Sequence, residues 1–105
     1  MMNEVKLMPP VERYIKKLKD KKLVKLFRDE IELIRNNPEV GQVKTGDLNG
    51  VYTRGFRYQK ADYRIAYRVR VADDGSLIIV IMIGVRENFY DDLKNYINEQ
   101  MKNFE

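Results

Sequence analysis

The chain has no cysteine, no histidine and a single serine among its 105 residues. Without cysteine there is no disulfide, no thiolate nucleophile and no thiolate metal site. Without histidine there is no Ser-His-Asp triad, no Cys-His pair and no imidazole-ligated zinc. The one serine, Ser76, stands in a turn. Long apolar runs are missing too. The longest, Leu77 to Ile83, is seven residues, against about 20 for a membrane helix. The N-terminal Met1-Met2-Asn3-Glu4 has no apolar signal core, so a cytoplasmic protein is expected.

What remains suits one small domain, residues 1–105. Hydrophobic residues make up 44% of the chain, enough for a core of its own. Charged residues make up 34%, with a net charge of +4, which is compatible with a polyanionic partner. The charge is uneven. Arg13 to Arg28 holds eight basic residues against Asp20, and Tyr52 to Arg70 holds six against Asp62. Arg86 to Glu105 is acidic on balance, with three basic and five acidic residues. All of the second cluster but Lys60 is arginine, whose planar fork binds phosphate oxygens in pairs.

The hydrophobic period divides the chain. Glu4 to Met8 reads as a short strand stopped by Pro9-Pro10, and Pro10 suits a helix start. Val11, Tyr14, Ile15 and Leu18 follow at helical spacing. After a break at Asp20-Lys21-Lys22, a second helix runs through Leu23, Leu26, Phe27, Ile31 and Ile34 to Asn36-Asn37-Pro38. Residues 39–50 read as a loop with three glycines. The period then becomes two. Val51 to Tyr58 is a strand, and Tyr63 to Val71 is a clearer one, with an apolar face opposite a cationic one. Asp73-Asp74-Gly75-Ser76 is the expected hairpin turn. Leu77 to Ile83 is apolar on both faces and reads as a buried central strand ended by Gly84. A last helix carries Phe89, Leu93, Ile97, Met101 and Phe104 on one face. The order is β-αα-βββ-α, an α+β fold whose helical hairpin covers one face of a small, mostly antiparallel sheet.

Arg68 and Arg70 fit a solvated outer face. Arg64 differs, because it begins its strand near a loop holding Arg57 and Lys60. It also lies near the end of the adjacent strand, where Arg86 follows Gly84. With Tyr90 at the start of the last helix, these residues outline an anion pocket. Helical geometry turns Phe89 and Tyr90 about 100° apart, so Phe89 can face the core while Tyr90 looks to its flank. A half-buried tyrosine with a satisfied hydroxyl fits the same spacing. Asp73-Asp74 is a turn signature and Asp91-Asp92 diverge on a helix, so neither pair suits a metal. There is no Walker loop or dinucleotide fingerprint. The apolar stripes of the basic hairpin suit a sheet better than a helix-turn-helix.

The segment Asp62-Tyr63-Arg64-Ile65-Ala66-Tyr67 is followed by an Asp-Gly turn, an apolar strand, Gly84-Val85-Arg86 and Phe89-Tyr90. In that order these motifs resemble the RelE/ParE toxin superfamily along essentially the whole chain. The resemblance implies a toxin of a type II toxin–antitoxin pair, inhibited by a cognate antitoxin and needing no cofactor. In the RelE branch it implies a metal-independent endoribonuclease acting on mRNA, typically on the ribosome. In the ParE branch it implies a non-catalytic inhibitor of DNA gyrase. By the resemblance, Arg64 is the strand arginine that grips the scissile phosphate, Arg86 the arginine after the central strand, and Tyr90 the acid/base tyrosine. Arg57 and Arg54 fall where those nucleases place lysines, and Lys60 and Lys44 join them as expected contacts to RNA phosphate. The chain departs from its relatives by carrying Val85 where many have histidine, and by a shorter Arg-to-Tyr gap than in the best-known RelE.

The residues suffice for that chemistry. An RNA 2′-OH can attack its own neighbouring phosphate, so the protein need supply no nucleophile. It has to align the attack, stabilise charge on the phosphate oxygens and move protons. Arginines can do the second task, and a tyrosine beside cations, its pKa pulled down from about 10, can do the third.

Overall fold

A computed structural model describes residues 3–100. The elements are β1 (Glu4–Leu7), α1 (Pro9–Lys17), α2 (Lys21–Asn36), β2 (Gln42–Val43), β3 (Tyr52–Tyr58), β4 (Ala61–Ala72), β5 (Gly75–Val85) and α3 (Phe89–Gln100). The strands form one sheet in the order β1-β5-β4-β3-β2. Only the β1–β5 pair is parallel. This is the expected α+β fold with one strand added. Residues 39–50 are not simply a loop, because Gln42 and Val43 pair with Thr53 and Tyr52 at the sheet edge. Two residues are too few to show a period, so the strand is silent in the sequence.

Other boundaries move as well: β4 begins at Ala61 rather than Tyr63, so Arg64 is its fourth residue and not its start. Gly84 does not end β5, which pairs on to Val85. The β4–β5 turn is Asp73-Asp74, with Ala72 opposite Gly75, one residue earlier than the Asp-Gly signal suggests. Gly75 has φ +131°, a conformation open to glycine alone among ordinary residues. Of the last helix's apolar positions, Met101 and Phe104 lie outside the described residues.

Both sheet faces are covered. Val11 of α1 and Leu23, Phe27 and Ile34 of α2 pack on Ile65, Tyr67, Ile78, Val80 and Ile83. Phe27 is the centre of that layer, in edge-on contact with Tyr14, Phe56 and Tyr63 at 5.9, 5.1 and 5.6 Å between ring centroids. On the other face Phe89, Leu93 and Ile97 of α3 cover Val51, Ala66, Ile79 and Ile81. The second face of β4 is therefore not uniformly cationic. Ala66 is buried under α3, Arg68 is half-buried and Arg70 is exposed. Ala66 pairs with Met82 and Tyr67 with Val80, so Ile81 is the extra residue of a bulge. It turns Ile81 and its neighbour Met82 both toward α3.

Two polar contacts fix the helical hairpin and the following segment to the sheet. Asp20 caps α2 by accepting from the Lys22 and Leu23 amides, and its other oxygen accepts from the Tyr58 hydroxyl at 2.9 Å. The buried Tyr67 hydroxyl donates to the Pro38 carbonyl at 2.6 Å and accepts from the Gly41 amide at 2.9 Å. That holds the chain just before β2.

The β3–β4 turn, Gln59-Lys60, has φ +46° and +69°. Positive φ at both positions is the requirement of a tight hairpin turn that normally takes Asn-Gly. Here two long side chains adopt it at a conformational cost. Lys60→Gly is expected to stabilise the protein by about 0.5–1 kcal/mol, read as a raised midpoint in urea with an unchanged slope. Tyr67→Phe leaves the Gly41 amide and the Pro38 carbonyl without their partner, and is expected to lower stability by about 1–3 kcal/mol in the same measurement.

Candidate active site

Strand alternation sorts the residues of β3. Tyr52, Phe56 and Tyr58 pack toward the helical hairpin, and Arg54 goes with them. Its Nε meets Glu30 of α2 at 2.6 Å. Thr53, Gly55 and Arg57 face the other way. They lie opposite Ala66, Arg64 and Asp62 of β4. Thr53, Gly55, Arg57, Asp62 and Arg64 floor an open groove of about 540 Å³. Its walls come from Gln42 and Lys44 near the β2 edge, Arg86 after β5 and Tyr90 in the first turn of α3.

The groove gathers Arg64, Arg86, Tyr90, Arg57 and Lys44. Arg54 borders it, but its side chain is committed to Glu30 on the opposite face. Lys60 stands at the exposed tip of the β3–β4 turn and does not line the groove. Arg57 is joined to Asp62 at 3.1 Å, an exposed pair of little intrinsic strength. The Arg86 amide donates to the Asp62 carbonyl at 2.7 Å, and the Phe89 amide donates to the Arg86 carbonyl at 3.1 Å. That leads the chain from β5 into α3 at a set angle. Phe89 is buried and Tyr90 half-buried, with their rings edge to face at 5.5 Å. The flank position expected for Tyr90 is the one it takes.

Arg64 does not project straight out from the sheet. Its Nη1 donates to the Tyr63 carbonyl at 3.1 Å, and the guanidinium lies across Gly55 of β3. Tyr90 is subject to opposing effects. Partial burial pushes its phenol up. The Thr53 hydroxyl, the Lys44 charge, and the hydrogen bond and charge of Arg64 all pull it down, and together they hold it below the ordinary tyrosine value. Lys44 Nζ sits 5.3 Å from the centre of the Tyr90 ring, within cation–π range. Thr53 is 5% exposed, and with Tyr67 it carries a buried hydroxyl.

This arrangement puts cations and an acidified phenol around a space large enough for a phosphodiester. The sequence of residues 5–94 matches the pattern of ParE-like toxins of type II bacterial toxin–antitoxin systems. The chain belongs to that family. No curated protein matches it in sequence, but solved structures do in fold. A RelE toxin mutant from E. coli in its free state has a TM-score of 0.69 at 15% identity, over 96% of this chain and 99% of that one. The YoeB/ParE toxin of Agrobacterium tumefaciens gives 0.66 at 19%, over 79% and 98%. A chain of the RelBE2 toxin–antitoxin complex of Mycobacterium tuberculosis gives 0.61 at 20%, over 82% and 100%.

In this toxin Gln42, Gly55 and Thr53 are among the groove residues that sequence reasoning does not single out. Gly55 leaves a trace, since an isolated glycine within a strand often marks a close approach. Thr53 leaves none, because threonine is an ordinary strand residue. The phenol of Tyr90 is expected to titrate below 10, followed through its ring-carbon NMR signal. Lys44→Met removes a cation that lowers it and should move the midpoint upward. An unchanged midpoint would show that Lys44 is electrically remote from the ring.

Proposed function

We propose that the toxin is a metal-independent endoribonuclease that inhibits translation by cutting mRNA, with the groove between β3 and α3 as its active site. The observation that carries this reading is the convergence of Arg64, Arg86 and Lys44 with the Tyr90 phenol on the walls of one groove. The RNA 2′-OH attacks the adjacent phosphorus, the bond to the 5′ oxygen breaks, and a 2′,3′-cyclic phosphate and a 5′-hydroxyl are left. Arg64 and Arg86 offset the charge that builds on the non-bridging oxygens. Tyr90 exchanges a proton with one of the two reacting hydroxyl oxygens. Arg57 and Lys44 hold flanking phosphates. Substrate is presented on the ribosome, and the toxin works in the cytoplasm.

A cognate antitoxin completes the system. The E. coli RelBE and M. tuberculosis RelBE2 structures are toxin–antitoxin complexes, and a basic chain with a short open sheet edge suits an acidic segment that folds as it binds.

Cleavage should persist in EDTA and stop when the scissile nucleotide carries a single 2′-deoxy substitution. Arg64→Ala should lose about 10²–10³-fold in single-turnover rate, with Arg64→Lys recovering only part, since a point charge cannot replace a fork. Tyr90→Phe should lose about 10²–10⁴-fold with little change in binding. A silent Tyr90→Phe, with Tyr90→Ala weakening binding, would make the ring a stacking surface instead. Loss of DNA supercoiling with translation intact would replace the nuclease reading by gyrase inhibition.

A further inference from the structure

The structure assigns Gly55 as a positioning residue for Arg64: its missing side chain is the space in which the Arg64 guanidinium lies. The inference deepens the proposed function, because Arg64 is the cation that reading depends on.

Glycine in a strand interior carries an entropic penalty and packs nothing. Two reasons usually justify it, a backbone conformation that other residues avoid or a lack of room. The first is absent. Gly55 lies within β3 and is not among the positive-φ glycines, which are Gly46, Gly50 and Gly75. The second is present. A Cβ built on Gly55 would overlap the Arg64 guanidinium, 2.8 Å from its central carbon, and would stand 3.0 Å from the Tyr63 carbonyl oxygen.

Gly55 and Arg64 are direct partners across the β3–β4 ladder, so their side chains leave the same face side by side. With any residue other than glycine at 55, Arg64 would have to stand away from the sheet, as strand side chains ordinarily do. With glycine it bends across β3, returns one N–H to the Tyr63 carbonyl and shares the groove with Tyr90. A guanidinium has five N–H donors, so the others remain to meet an anion. Gly55 itself is exposed at the groove floor. Adding a methyl there overlaps the mobile end of one side chain and crowds one carbonyl by only a few tenths of an ångström, so the fold should survive while Arg64 moves.

Gly55→Ala is compared with the wild type and in the Arg64→Ala background. The expected result is an unchanged circular dichroism spectrum, a displaced Arg64 Nε–H resonance, and a single-turnover cleavage rate lower by about tenfold or more. In the Arg64→Ala background the same change should alter the rate by less than about twofold, because coupled sites are not additive. A wild-type rate for Gly55→Ala, or the same loss in both backgrounds, would overturn the assignment. The second result would mean that substrate touches position 55 directly. Should the wild type cut no RNA, the nuclease reading fails, and the Arg64 Nε–H resonance alone decides whether Gly55 places that guanidinium. An unshifted resonance refutes it.

Discussion

The groove depends on the register between β3 and β4. Gly55 opposite Arg64, Thr53 opposite Ala66 and Arg57 opposite Asp62 put the cations, the hydroxyl and the gap on one face. Because side chains alternate, a slip of one residue would turn Arg54 into the groove and bury Thr53 and Gly55 against the hairpin. Register is fixed from the opposite face. Phe56 stacks on Tyr63 at 5.5 Å and Tyr52 on Tyr67 at 5.3 Å, two cross-strand pairs on the ladder itself. Phe27 closes over the first. The hydrophobic layer that stabilises the protein thus also sets the geometry of a site on the opposite face of the sheet.

Electrostatics at Tyr90 follow from the same geometry. Burial alone would make the phenol a weaker acid. Thr53 and Arg64 reach it because β3 and β4 carry them on the groove face. Lys44 reaches it because the Tyr67 hydroxyl ties down the Pro38–Gly41 segment and β2 then pairs with β3. Three separate backbone placements converge on one hydroxyl. In a chain with no histidine, this lowers the pKa of a residue whose ordinary value is far from neutrality.

Legibility in the sequence tracks the length over which a pattern repeats. Tyr63 to Val71 alternates long enough to show strand, face and the special place of Arg64. The helical hairpin shows itself by two apolar stripes, and β5 by an unbroken apolar run. Composition does not tell Arg57 from Arg54, since what separates them is parity along β3, and that parity follows from the tight turn at Gln59-Lys60. No hairpin signal marks that turn, because neither residue is a usual one for positive φ. Lys44 depends on a two-residue strand too short to repeat anything. The covering of Ala66 by α3 was hidden for another reason: alanine is neutral in the alternation, so the cationic face looked continuous.

The family's fold survives at 15–20% identity to the toxins compared above, which is what a ladder held from its apolar face would produce. The residues that lock the register, Tyr52, Phe56, Tyr63 and Tyr67, point away from the groove, so the groove side chains can change without disturbing the sheet. A fold arranged this way can keep its strand pairing while the residues of the groove vary. Position 55 belongs to the changeable face, yet the side chain it can carry is limited by its partner across the ladder. Where Arg64 must lie flat, residue 55 has no room for a Cβ; where residue 55 carries one, Arg64 must stand up and the groove becomes a different site.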